Sequence, residues 1–72
     1  MDLRIFKPLG ATTAVAELWH GDRLLAEVFA REDSVRRLYL SEDASACGLE
    51  WEPFRQLIPR INDLLDQADK EM

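Results

Sequence analysis

Cysteine and histidine each occur once in these 72 residues, and glycine and proline three times each. The lone Cys47 excludes an intramolecular disulfide and a multi-cysteine metal site, and it fits a reducing compartment. It lies in Ser41-Glu42-Asp43-Ala44-Ser45-Ala46-Cys47-Gly48, where its charged neighbours are acids. A reactive thiolate needs positive neighbours, so Cys47 reads as inert. One histidine leaves no Ser-His-Asp or Cys-His pair to propose, and His20 reads as a turn residue tolerating positive φ. With acids scattered along the chain, no metal-ligand spacing exists. Gly10, Gly21 and Gly48 lie too far apart for a phosphate-cradling loop. The adjacent acids Glu32 with Asp33, and Glu42 with Asp43, read as solvated turns. The expectation is a chain without catalysis, cofactor, metal or small-molecule substrate.

Long hydrophobic runs are missing too. No stretch approaches about 18 apolar residues, so no membrane span is expected. Met1-Asp2-Leu3-Arg4-Ile5-Phe6-Lys7 has no apolar run of signal-peptide length, which makes a cytoplasmic protein the expectation. Basic surplus is also absent, with 9 Lys+Arg against 14 Asp+Glu and a formal net charge of −5. The excess is unevenly placed. Residues 1–41 are neutral, and the whole −5 lies in residues 42–72.

What is present is a globular balance, 47% hydrophobic and 32% charged, in a length that permits one domain. The first part reads as β structure. Leu3 and Ile5 form a short apolar run before Pro8 and Gly10. Thr12 to Trp19 and Leu24 to Arg31 flank a Gly-containing turn as a hairpin, and Val35 to Leu40 follows the polar turn Glu32-Asp33-Ser34. In the last part Trp51, Phe54, Leu57, Ile58, Ile61, Leu64, Leu65, Ala68 and Met72 recur at steps of three and four, the period of an amphipathic helix. Pro59 falls inside that stripe, so one helix kinked at Pro59 is preferred to two short ones. The predicted class is α+β: an antiparallel β-meander of three to four strands over about 3–41, an acidic loop over 42–50 that is mobile around Asp43 to Gly48, and one C-terminal amphipathic helix over about 51–70.

Alternation along a strand places residues on opposite faces. A two-residue His20-Gly21 turn would put Trp19 with Leu24, Ala26 and Val28, and a three-residue turn would put it with Leu25 and Phe29. Under either register both faces carry large apolar residues, and one helix covers one face. The remainder exceeds the few hundred Å² that monomers commonly expose. A homodimer is therefore expected, with Trp19, Leu25, Phe29, Val35, Tyr39, Trp51, Ile61 and Leu65 as interface candidates. The expected role is a small binding or regulatory module acting through contacts with another protein and with itself. Because the helix's polar face is acidic, anionic lipids should repel it.

The neutral sheet keeps an arginine group, Arg31 with Arg36 and Arg37, beside Phe29 and Tyr39. Arginines and aromatics on one β surface suit a protein interface, and they also suit stacking of unpaired bases. From Gly21 to about Gln67 the chain resembles the positive-cofactor-four-like single-stranded-DNA-binding coactivators, a β-meander followed by a helix through which two copies pair. The similarity rests on Leu24-Leu25-Ala26-Glu27-Val28-Phe29, Leu38-Tyr39-Leu40-Ser41, Trp51-Glu52-Pro53-Phe54 and Leu57-Ile58-Pro59-Arg60-Ile61. It implies a transcriptional regulator with a nucleic-acid surface at Arg23, Arg31, Arg36, Arg37 and the exposed aromatics. Glu17 and Glu27 depart from the basic sheets of that family, and residues 42–50 are longer and more acidic than its pattern.

Overall fold

A computed structural model describes residues 1–70. It has four strands followed by two helices: β1 (Asp2–Phe6), β2 (Val15–His20), β3 (Arg23–Ala30), β4 (Arg36–Leu40), α1 (Glu42–Cys47) and α2 (Trp51–Lys70). The strands form one antiparallel sheet in sequence order, a meander with β1 and β4 at its edges. The expected α+β class and the four-stranded alternative are both found. Met72 of the helical stripe lies outside the described residues.

The β2–β3 hairpin turns through Gly21-Asp22, with Gly21 at φ +62° and His20 paired across to Arg23. Two central residues with a glycine in the left-handed region match the twist of the flanking strands. His20 itself is a strand residue. Further along, Leu18 faces Ala26 while Trp19 faces Leu24, so a bulge at Leu18/Trp19 leaves Leu25 as the extra residue. Neither simple turn length gives this pairing. The bulge shifts the register partway along the hairpin, and turn chemistry alone cannot announce it.

The acidic segment is a loop only over residues 48–50, because Glu42–Cys47 is the helix α1. Ser41 caps α1: its Oγ accepts from the Ala44 amide at 3.2 Å and donates to the Leu24 carbonyl at 2.6 Å. Glu42 and Asp43 sit in the first turn, where the helix dipole favours negative charge. Gly48, at φ +75°, closes the helix by donating its amide to the Ala44 carbonyl at 2.9 Å. Ala44 is buried, and α1 packs on β3.

Helix α2 is continuous from Trp51 to Lys70 with Pro59 inside it. It lies across β1 and β2. Ile61 and Leu65 are buried against Ala14, Ala16, Leu18 and Ala26, flanked by Leu3, Ile5, Val28, Leu57 and Ala68. Three of those sheet positions are alanine, which lets the helix approach the strands closely. Polar contacts fix its far end. Asp69 Oδ1 accepts from the buried Ala14 amide at 2.7 Å, and Asp69 Oδ2 accepts from Arg36 at 3.2 Å. Arg36 also donates to Asn62 Oδ1 at 2.6 Å and pairs with Asp66 at 2.8 Å. Removing the Asp69 carboxylate leaves a buried amide unsatisfied, a loss of about 1–3 kcal/mol. Asp69→Ala is therefore expected to lower the urea midpoint of unfolding with little change in slope, whereas Asp69→Asn, which keeps an oxygen acceptor for Ala14, should lose less.

Candidate functional site: an open groove and an aromatic face

The sheet has two unlike sides. On the side away from α2, Arg4 faces Glu17, Glu17 faces Glu27, and Glu27 faces Tyr39 across the four strands. Trp19 donates Nε1–H to Glu17 at 3.1 Å, and the Arg4 guanidinium lies 4.8 Å from the Trp19 ring centre. Tyr39 stacks on Phe29 at 4.7 Å between centres and lies beneath Arg31 at 5.3 Å. The large aromatics of this face are thus half-buried under one another and under arginines. At least one face of each ring is already in use. Glu17 and Glu27, directly opposite each other on the two central strands, repel any phosphate chain lying across the middle of the sheet.

The four arginines drawn together by sequence do not share one surface. Arg31 and Arg37 belong to the aromatic face, at the β3–β4 turn. Arg36 points to the helix side, where Asn62, Asp66 and Asp69 hold it. Arg23 stands at the hairpin corner, beside Met1, His20 and Glu50. Adjacent strand positions alternate in direction, and that separates Arg36 from Arg37.

The interface candidates divide similarly. Leu25, Ile61 and Leu65 are 5%, 5% and 1% exposed, so they belong to the chain's own interior and are not free for a partner. Leu25 is buried where α1 packs on β3, and the other two lie under α2. Trp19, Phe29 and Tyr39 are on the aromatic face. Val35 is exposed just before β4, and Trp51 is exposed at the start of α2.

Phe6 and Leu9 are exposed at the β1 edge, and a second uncovered apolar surface lies on the helix side, at the β4 edge. Since α2 sits over β1 and β2, it leaves an open groove of about 480 Å³ between itself and β4. Val28 and Leu38 line the strand wall, Phe54, Ile58 and Pro59 line the helix wall, and Leu18 lies at its floor. Leu40 continues the strand wall at 60% exposure, and Trp51 continues the helix stripe at 65%. Leu38 and Ile58 are each nearly half exposed. Sequence reasoning missed Leu38, Leu40, Phe54 and Ile58 as surface residues. Their signal was available: 51, 54 and 58 form a stripe rotated from the buried one at 57, 61, 65 and 68. An amphipathic face that wide exceeds what four small strands can cover.

Two other concavities among the described residues mix charged and apolar lining. One is bounded by Arg31, Glu32, Asp33, Arg37 and Tyr39, and the other lies between the hairpin and the α1–α2 junction. Among the described residues no three of His, Cys, Asp and Glu converge to hold a metal ion, and no helix is long and apolar enough to cross a membrane. At the β3–β4 turn, hydrogen bonds from Arg37 and from the Val35 amide hold the Asp33 carboxyl below its ordinary value of 3.8. A carboxylate favoured by the fold stabilises it above that ordinary value, and the contribution is lost as pH falls through the lowered one. A carbon-detected titration should place the Asp33 midpoint below 3.8, and Arg37→Ala should move it back up.

Compared with known proteins, the chain matches no family model, no curated protein and no solved structure.

Proposed function

We propose that the chain is a non-enzymatic binding or regulatory module that acts through protein–protein contacts and self-associates, with the groove between α2 and β4 as its contact surface. The observation that carries this reading is the exposed apolar set Leu38, Leu40, Trp51 and Ile58, each 46% or more exposed along one side of a very small domain. Burying apolar surface contributes about 25 cal/mol per Å², enough to drive association of a patch this continuous. The aromatic face supports it less well, because its rings are capped within the chain.

Sedimentation velocity tests the proposal. The native chain should sediment as a dimer at micromolar concentration, and Leu38→Asp should weaken that dimer by at least about tenfold while far-UV dichroism stays native. A native chain that remains monomeric at several hundred micromolar overturns it.

A second reading is single-stranded nucleic-acid binding by a transcriptional regulator. The Phe29–Tyr39 stack flanked by Arg31 and Arg37 favours it. It requires oligonucleotide affinity that falls with salt and drops on Arg31→Ala. Absence of binding to a labelled oligonucleotide at low salt removes this reading.

A further inference from the structure

We infer that the partner seated at the β4 edge is a second copy of this chain, added strand to strand, so that two four-stranded sheets join as one about a two-fold axis through Leu38. This inference rests on the self-association proposed above and specifies its geometry.

The Ser41 amide donates to the Leu25 carbonyl at 2.9 Å, extending the β3–β4 pairing by one residue beyond Leu40 opposite Ala26. Along an antiparallel ladder, hydrogen-bonded pairs alternate with non-bonded ones. Tyr39 and Arg37 therefore bond to β3, as Ser41 does. The backbone N–H and C=O groups of Arg36, Leu38 and Leu40 point the other way, to the open edge. Those groups sit beside the exposed Leu38 and Leu40 side chains.

The two edges of the sheet are not equally guarded. Past β1 the chain runs into Lys7-Pro8, residue types that commonly block strand addition, and α2 packs across that strand. Strand β4 has no lysine, proline or bulge. Its inward charge, Arg36, is drawn back onto α2 by Asp66 and Asp69. The edge is open.

Register then selects the partner. Centred on Leu38, the pairs Leu38 with the partner's Leu38, Arg36 with the partner's Leu40, and Leu40 with the partner's Arg36 all bring outward-pointing backbone groups together. Each such pair exchanges two hydrogen bonds. On the aromatic face the same register sets Arg37 against the partner's Tyr39, a cation beside a ring. A slip of one residue sets inward side chains against outward ones. A slip of two residues loses one bonded pair, and in one direction it also sets Arg37 directly against the partner's Arg37. In the other direction it sets Arg36 against the partner's Glu42, which is already in α1. The sequence of β4 is thus self-complementary in one register, a property that a strand from an unrelated protein has no reason to share.

Amide hydrogen exchange on the native chain, recorded at low and high concentration, tests this without mutation. The amides of Arg37 and Tyr39, bonded to β3, should be protected at both concentrations. Those of Leu38 and Leu40 should exchange fast when dilute and slow by tenfold or more as the dimer forms. A cross-linking arm reads the register on a Cys47→Ser background: Arg37→Cys and Tyr39→Cys chains, mixed and gently oxidised, should form disulfide dimers in several-fold higher yield than either alone. Facing positions lie within disulfide reach, whereas two copies of the same position lie beyond about 7 Å. Dimerisation with Leu38 and Leu40 amides fast at every concentration overturns the edge pairing and leaves self-association standing. Equal cross-linking in all three samples overturns the register. A chain monomeric throughout removes both proposals, and protection of these amides only on adding a different protein assigns the edge to that protein.

Discussion

Asp69 is the carboxylate on which the arrangement of layers depends. One of its oxygens satisfies the Ala14 amide at the entry to β2, and the other holds Arg36 at the entry to β4. Near the end of a twenty-residue helix, it ties together segments separated by most of the chain. Arg36 adds Asn62 and Asp66 to the same tether, so two successive turns of α2 are pinned to the start of β4. Such partly exposed ion pairs contribute little energy individually. Their effect is positional: the C-terminal half of the helix is held to the start of β4, and the open groove runs between β4 and the residues from Phe54 onward.

The fold was legible because two periodicities carry it. Alternation in the strands and three-to-four spacing in the helix are local properties of sequence, and both survive into the structure. Helix α1 was legible in its parts, Ser41 as cap, two acids in the first turn and Gly48 as stop, but six residues are too few for a period to show. The bulge at Leu18/Trp19 left no residue-type signal, since both strands there are ordinary β sequence. The site was less legible than the fold. Burial of Ile61 and Leu65 against alanines, half-burial of Phe54 and exposure of Ile58 beside them depend on where α2 sits laterally on the sheet. That position is set by Asp69 and Arg36, fifty-five and twenty-six residues away in sequence from the groups they bind, Ala14 and Asn62.

The sheet's two sides manage apolar surface differently. The aromatic face covers its rings locally, with Arg4 over Trp19 and Arg31 over Tyr39, so apolar area is shielded by guanidinium planes that stay hydrated at their rims. The groove has no such cover. Charge follows the same division: the tether draws acids and Arg36 to one end of α2, and the apolar residues Trp51, Phe54 and Ile58 occupy the other half of the helix.

Alanine at positions 14, 16 and 26 has an effect beyond the interior it fills. With methyl groups at three of the four positions beneath Ile61 and Leu65, and Leu18 at the fourth, helix and sheet pack with no slack there. A bulkier residue at any of these three positions would lift α2 about its pinned C-terminal end, as a lever turns on a fulcrum. The displacement would be greatest toward Phe54 and Trp51. Three small side chains therefore act as the spacer that sets the groove's aperture, and volume changes in the interior would be read out as changes in what the surface can hold.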